Sequence, residues 1–365
     1  MINVLIIPFD HENPYHTLLA SSLRKQNISI IEGKLYTLFS LIKNVRLQKN
    51  INLIQIEWSH PFFIQKDKYK TIIKSILFIL DIIILRIMGI KIVWRVHNKY
   101  NHEGLHKRLD IFISRTLVHF SDLLLVECKK GEEIIIDLFK IQNENKVKII
   151  PMGNYEGSYE NTITKQEARN ILNVGHDEFV FLFLGNIREY KGVSDLIDAF
   201  NNVQNGNNVR LIVAGKPYDQ KMESELQEKI RFSNKITANL EFIPDQDVQK
   251  YFNASDFAVY PYKDILSSGA ILLALTFHKP IIAPKMGCIP DILDEQGSIL
   301  YDPGEENELL KALNKAISSD LNPMSGHNSN LAEKYDWDKI AEKTSNEYIN
   351  LIFPKKMSLE SPNSE

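Results

Sequence analysis

Two cysteines, Cys128 and Cys288, are all that the 365 residues contain. They stand far apart and without metal-ligand spacing. Neither a disulfide framework nor a thiolate metal site is indicated, and both read as buried thiols in a reducing compartment. No Gly-x-Gly-x-x-Gly follows the first apolar run, which disfavours hydride transfer on a dinucleotide. No Asp-x-Asp pair is placed at a strand end, and no His-x-x-x-His lies on a helix. His102 and His106 have that spacing, but Gly104 between them argues against a helix, so no metal is expected. A charge-free run long enough to cross a membrane is also missing. The most apolar stretch, Ser75 to Trp94, is broken by Asp81, Arg86 and Lys91, where a span needs about 20 largely uncharged residues. It parses as a helix to about Met88, a turn at Gly89 and a buried strand from Lys91 to Val96. Burial against a sheet is the expected reason for the helix's apolarity, and part of it lying on a membrane surface is the second reading. The opening Met1-Ile-Asn-Val-Leu-Ile-Ile-Pro8 has no basic segment before it and reads as a first strand rather than a secretion signal.

What is present fits a two-domain globular chain. The hydrophobic and charged fractions, 44% and 24%, are ordinary, and 365 residues suggest two domains at about 150 each. The net charge of −3 is unevenly spread: residues 1–150 carry 22 Lys and Arg against 14 Asp and Glu, and the remainder is acidic. A basic amino-terminal half points to an anionic partner, a membrane surface or a lipid diphosphate, although solvated surface charge gives the same count. Nucleic acid is not expected, because no groove-reading motif or stacking pattern accompanies the charge.

Two segments carry chemistry. In Phe181-Leu-Phe-Leu-Gly-Asn-Ile-Arg-Glu-Tyr-Lys-Gly192 a buried parallel strand ends at Gly185, and a tight turn delivers Arg188 and Lys191. Val193, Leu196, Ile197 and Phe200 then line one face of a helix. Open α/β sheets place ligands at the carboxyl ends of their strands, and a guanidinium with an ammonium suits a diphosphate. A solvated cationic turn would look the same. About 80 residues on, Ser267-Ser-Gly269 opens an apolar helix from Ala270 to Phe277 behind a strand, Phe257 to Tyr260. Serine caps free amides, Gly269 lets a ligand approach, and a helix start attracts anions.

Together these segments resemble the donor half of a GT-B glycosyltransferase, in the superfamily of bacterial nucleotide-sugar transferases related to family 4. The matching phrases are Gly185-Asn-Ile-Arg-Glu-Tyr-Lys-Gly192, Val213-Ala-Gly-Lys-Pro217, Phe242-Ile-Pro-Asp245, the Ser-Gly helix start, Lys279-Pro280 and Gly287-Cys-Ile-Pro-Asp291. The likeness is strong over residues 175–350. One departure stands out. Retaining members carry two glutamates eight positions apart here. The second falls at Leu273 when registered on Lys279-Pro280 and at Ala274 when registered on Gly269. The first falls at Ile265 or Leu266, with Asp264 the nearest carboxylate. The departure favours a subgroup resembling polysaccharide β-glycosyltransferases, which invert.

The amino-terminal half alternates strands and helices, with strands expected near 2–7, 28–31, 52–57, 91–96, 122–127 and 147–151. Functional residues should follow them: Asp10, His11 and Asn13 after the first, with Asn13 capping a helix that starts at Pro14; Glu57, Trp58 and His60 after the third; His97, Asn98, His102 and Glu103 after the fourth. An inverting transfer needs a general base for the acceptor hydroxyl. By the resemblance, His97 faces the donor sugar, while Glu57 and His102 are candidates for the base, with Asp10 and His11 behind them. Any of these can equally be a loop cap or a structural histidine.

The resemblance implies an α/β GT-B fold: two doubly wound Rossmann-like domains facing across a cleft, with the last helix crossing back to the first. The expected division is an acceptor-binding domain over 1–155, a donor-binding domain over 156–335, the returning helix over 336–353 and a disordered tail over 354–365. The Gly-rich linker Met152 to Tyr159 has Gly153 and Asn154 as lining candidates. Donor contacts are assigned to Arg188, Lys191, Gly185, Ser268, Gly269, Ile243 and Asp264, with backbone at Phe242 to Pro244 framing the base. The implied reaction moves a hexose from a GDP- or UDP-sugar to a lipid-linked or oligosaccharide acceptor in cell-surface polysaccharide synthesis. It needs no cofactor and no obligatory metal, and it runs in the cytoplasm at the inner face of the membrane, with the basic amino-terminal domain associating peripherally. A retaining enzyme with a rearranged site, or a catalytically silent nucleotide-sugar binder that partners another transferase, are the alternatives.

Overall fold

Short apolar runs, most of them buried on both faces, become the strands of two parallel sheets, as the sequence pattern requires. The computed structural model describes residues 1–48, 50–204, 208–231 and 233–354. Two compact units emerge. The first comprises 1–126, 135–150 and the chain from Trp337 onward, and the second comprises 127–134 and 151–336. The main change of unit falls between Ile150 and Pro151, just past a strand end, where the sequence reading drew the line after 155. The tail expected from 354 lies outside the described residues apart from Pro354.

In the first unit the strands are β1 (Ile2–Ile7), β2 (Ile28–Glu32), β3 (Leu53–Ile56), β4 (Lys91–Arg95), β5 (Leu123–Val126) and β6 (Val147–Ile149). They lie in the order β2-β1-β3-β4-β5-β6, all parallel. In the second unit they are β7 (Phe179–Leu184), β8 (Val209–Ala214), β9 (Ile236–Asn239), β10 (Phe257–Val259), β11 (Ile281–Pro284) and β12 (Ser298–Tyr301). Their order is β12-β11-β10-β7-β8-β9, again all parallel. Strand order reverses between β1 and β3 in one sheet and between β7 and β10 in the other. Ligands of open α/β sheets bind at such points. The final helix, Trp337–Ile352, packs in the first unit against the helix Pro14–Lys25. Lys25 Nζ meets Asp338 at 2.8 Å, and the rings of Tyr15 and Trp337 lie 5.6 Å apart.

Two expectations need correction. Cys128 and Cys288 are not separate thiols but are joined in a disulfide within the second unit, Cα to Cα 5.6 Å. A separation of 160 residues along the chain says nothing about distance in the fold. The reducing-compartment reading therefore loses the support it drew from these residues. The apolar helix, Lys68–Ile87, is not enclosed by the sheet. Only one face, with Thr71, Ser75, Phe78, Ile82 and Leu85, is buried, and Ile72, Ile73, Ile76 and Ile87 emerge elsewhere on the helix. Among the described residues no helix is long and apolar enough to cross a membrane.

Asp81, the acid inside that apolar helix, explains a neighbour. Helix Ser40–Leu47 starts after Phe39, whose side chain supplies no cap. Asp81, itself buried, reaches across to accept from the Leu41 and Ile42 amides at 2.8 and 2.9 Å. Burial raises its pKa, while those two amides pull the other way. A borrowed cap of this kind satisfies amides that a helix start otherwise leaves open. Asp81→Ala is expected to lower unfolding stability by about 1–2 kcal/mol, read from urea denaturation, with no change in β-sheet content.

Candidate functional site

In the second unit the backbone at the β7 and β8 ends comes unusually close. Gly215 has φ +143°, and a Cβ there would fall 2.1 Å from the Gly185 carbonyl oxygen. The turn that follows is tight for the same reason: Gly192 has φ +69°, and its missing Cβ would sit 2.0 Å from the Pro261 carbonyl oxygen after β10. This pulls the two strand-end loops together and leaves a cavity of about 270 Å³ lined by Gly185, Asn186, Gly215, Lys216, Ile243 and Gly269, with Tyr155, Tyr159, Phe242, Asp245 and Leu273 completing its walls.

The predicted cations divide. Lys191 Nζ would lie 3.3 Å from a Cβ on Gly185, so the ammonium stands against a glycine that lines the cavity, although Lys191 itself does not line it. Burial, and then the nearby Arg188 charge, lower its pKa to about 8. Arg188 turns aside: it donates to the Ile187 carbonyl at 2.8 Å, and its guanidinium lies 5.0 Å from the centre of the Tyr218 ring. Ser268 is the N-cap of the helix Gly269–Thr276, accepting weakly from Ile271 N at 3.4 Å and pairing with the Tyr262 hydroxyl at 2.7 Å. Asp264 is half-buried in the preceding loop and does not line the cavity. Of the two registers for the missing second glutamate, the cavity selects Leu273, because Ala274 is fully buried. Ile265 and Leu266, at the first position, are core residues. Lys279 is structural and donates to the Ser255 carbonyl at 3.0 Å.

Tyr155 was missed by sequence reasoning. Its hydroxyl approaches Gly269 to 2.7 Å of where a Cβ would be, so this glycine makes room for a tyrosine. Tyr155 belongs to the Gly-rich linker that was singled out, but only Gly153 and Asn154 were named there. Asn154 instead ties the linker down, with its backbone N–H to Tyr335 O at 2.8 Å and its side chain to Ala332 O at 2.9 Å.

In the first unit the strand ends of β1, β3 and β4 bring Tyr15, Glu57 and His97 together. Glu57 is buried and accepts from Tyr15 Oη at 2.9 Å, from His97 Nε2 at 2.7 Å and from Gln55 Nε2. Gln55 in turn accepts from the Tyr348 hydroxyl of the last helix. Burial would raise the Glu57 pKa, but the His97 hydrogen bond and charge, then the Arg95 and His16 charges, bring it down to about 2. An ionised carboxylate only accepts, so His97 Nε2 carries the proton and Nδ1 is the ring's other face. His97 stacks on Trp58 at 4.6 Å and meets Tyr15 edge-on at 5.4 Å. Glu57 thus orients a histidine and is poorly placed to take a proton itself.

The remaining candidates sit apart from this pair. Asn13 caps the helix at Pro14 through Tyr15 N at 3.1 Å. Asp10 binds Glu12 N at 3.0 Å, and its own backbone N–H reaches His16 Nδ1 at 3.0 Å. His11 is exposed beside Glu32 at 3.3 Å, and His102 is exposed in the loop after β4. His60 pairs instead with buried Asp110 at 3.4 Å. Among the described residues no group of three His, Cys, Asp or Glu is set to hold a metal.

Comparison with known proteins bears on the fold and on the second unit's sequence. The family model described as "Glycosyl transferases group 1" matches residues 178–319. A GDP-mannose:glycolipid 4-beta-D-mannosyltransferase of Xanthomonas campestris pv. campestris is 27% identical over 174 residues, 47% of this chain and 48% of that protein. A lipopolysaccharide 1,2-N-acetylglucosaminetransferase of Salmonella typhimurium is 25% identical over 211 residues, 54% of this chain and 55% of its own. The chain thus spans about half the length of the curated relatives it matches. Among solved structures, Anabaena HepE in complex with UDP and glucose superposes with a TM-score of 0.74 at 16% identity, covering 95% of this chain and 99% of that one. The fold is GT-B, and residues 178–319 are similar to the group 1 glycosyl transferases.

The Glu57 network has a pH signature. A carboxylate whose folded pKa lies below its unfolded value adds stability above about pH 4.5, and that stability is lost as pH falls through about 2. Glu57→Gln is expected to cost about 1–3 kcal/mol at pH 7, with the gap to the parent narrowing as the pH is lowered, measured by urea titration at several pH values.

Proposed function

We propose that this protein transfers a hexose from a nucleoside diphosphate sugar to a lipid-linked or saccharide acceptor of a cell-surface glycan, with inversion at the anomeric carbon. The observation that carries the reading is the cavity at the β7–β10 crossing, with Lys191 over Gly185 and a serine-capped helix opening onto it. At about 270 Å³ it suits base and ribose, leaving the diphosphate at the rim where the ammonium stands. Lys191 and the helix amides would stabilise the departing diphosphate in place of a metal, and electrostatic terms of this kind usually dominate. Arg188 would have to leave Tyr218 to join them. The Xanthomonas relative's GDP-mannose and the UDP of the HepE complex support a nucleotide donor, and the glycolipid and lipopolysaccharide relatives support the acceptor class.

In the transfer, the acceptor oxygen forms a bond to the anomeric carbon as the bond from that carbon to the diphosphate breaks, and a base takes the hydroxyl proton. We assign that base to His97, held by Glu57 as a positioning residue. Inversion is supported by the apolar residues at the two positions where retaining relatives carry glutamates. A retaining enzyme would give the opposite anomer, and a silent binder would give no product.

A thermal-shift screen with UDP, GDP, ADP, dTDP and CMP should single out one diphosphate, with the shift reduced in Arg188→Ala and abolished in Lys191→Ala. No shift with any of the five would defeat the donor assignment. Because Lys191 is protonated below its pKa of about 8, affinity should be flat at neutral pH and weaken above about 8. Lys191→Arg should remove that pH dependence. With an accepted donor in hand, NMR of the product should show the inverted anomer. His97→Ala should lower kcat about 100-fold or more with donor affinity nearly unchanged. Donor binding without turnover in the parent protein would favour the silent-binder reading.

A further inference from the structure

A polar side chain buried to nine-tenths normally has a hydrogen-bond partner, and one that lacks it calls for a reason. Tyr155 is such a residue. It is 9% exposed, its backbone N–H donates to Thr276 Oγ1 at 3.0 Å, and its ring meets Tyr159 edge-on at 5.9 Å. Among the described residues its hydroxyl has no hydrogen-bond partner, although Tyr155 lines the cavity of about 270 Å³. The hydroxyl lies at the start of the helix Gly269–Thr276, 2.7 Å from where a Cβ on Gly269 would be. The gap that Gly269 leaves beside its backbone is therefore filled by this hydroxyl rather than open to a ligand. Gly269 and Leu273, four residues apart on one helix, both line the cavity, which thus follows the helix for a turn. Leu273 marks an apolar end, and Tyr155 marks the end where helix amides emerge. Ser268 takes the Ile271 amide at 3.4 Å, while a helix start leaves the Gly269 and Ala270 amides without intrahelical acceptors.

We propose that the Tyr155 hydroxyl is a ligand for the diphosphate of the donor, donating to a phosphate oxygen held at the helix start, so that the linker and the helix bind the same anion. This inference rests on the donor reading above and adds to it a side chain that neither the Lys191 turn nor the serine cap supplies. A hydroxyl bonded to a phosphate oxygen is charge-assisted, and stronger than a bond between neutral groups. Burial, and then the neighbouring Tyr159 and Glu127, raise the pKa of the hydroxyl. It therefore keeps its proton and meets an anion as a donor. The position favours phosphate over a ribose hydroxyl, because a helix start attracts negative charge and does little for a neutral group.

The test is Tyr155→Phe in the full chain, which deletes one oxygen and keeps the ring. Without nucleotide that oxygen bonds nothing in the protein, so the melting temperature should not fall. Titration calorimetry with UDP, GDP, ADP and dTDP should show the tightest binder weakened about tenfold or more. Phosphorus NMR of that bound nucleotide should show its phosphate resonances moved by the substitution, with the ribose proton resonances in place. Gly269→Ala should lower the melting temperature, and adding Tyr155→Phe should relieve the loss, because the ring carbon that bears the hydroxyl is 3.8 Å from the new Cβ. Unchanged diphosphate affinity in Tyr155→Phe would overturn the proposal and leave the donor reading standing. Ribose resonances that move while the phosphates stay would also overturn it, in favour of a ribose contact. A lower melting temperature of nucleotide-free Tyr155→Phe would assign the hydroxyl a structural role instead. If the parent binds none of the four diphosphates, this inference falls together with the donor reading.

Discussion

Both candidate sites depend on one constraint of parallel sheets: where the strand order reverses, the connections leave in opposite directions and a crevice opens at the strand ends. The reversal between β1 and β3 gathers Tyr15 and Glu57, with His97 from the adjoining β4. The reversal between β7 and β10 gathers Gly185, Lys191 and the Ser268 helix start. Neither set is close in sequence. Each exists because neighbouring strands are held in register, so that Ile7 pairs with Ile56 and Phe181 with Phe257.

The two sites handle charge in opposite ways. In the first unit a buried carboxylate is satisfied by Tyr15, Gln55 and His97, which makes its ionised form the stable one. Burying a charge is costly unless donors answer it, and three do so here. The network also enlists the last helix through Tyr348 and Gln55, so the histidine's orientation depends on a residue 293 positions beyond Gln55. In the second unit the cation is left incompletely compensated, with the Arg188 charge nearby and a lowered pKa. A carboxylate already satisfied is suited to holding a neighbour, and a destabilised ammonium is suited to receiving an anion.

Much of the fold was legible because buried parallel strands leave an unmistakable trace of apolar runs ended by glycine or polar residues. The helix face Val193, Leu196, Ile197 and Phe200 was legible from its period, and all four are buried. The strand-end rule put Glu57, His97 and Lys191 on the candidate roster. What it could not supply was partnership. Glu57 as a base and Glu57 as a support for His97 have the same sequence and differ only in what surrounds the carboxylate. The disulfide was invisible for a related reason, since Cys128 and Cys288 meet only after two distant turns are placed. Tyr155 escaped because the linker was judged by its glycines. The helix Lys68–Ile87 misled because its aliphatic residues lie largely on the exposed side, while Thr71, Ser75 and Asp81 share the buried one.

Leu273 carries the remaining weight. It stands in the wall of the cavity, at the position where, by the resemblance, retaining members carry the second of their two glutamates. A leucine gains from apolar contact and offers a hydroxyl nothing, so any ribose held here must satisfy its hydroxyls elsewhere or keep them in water. Tyr155, Tyr159, Asn186 and Lys216 share that wall, and each brings a polar atom that the glutamate-bearing pattern does not require. The burial that pushes the Tyr155 hydroxyl well above its ordinary pKa keeps it protonated, and therefore a donor as well as an acceptor. Asp245 keeps one carboxylate in that wall and Lys216 adds a cation, so the leucine leaves the cavity with one acid fewer than a glutamate there would. On electrostatic grounds a leucine there repels a diphosphate less than a carboxylate would.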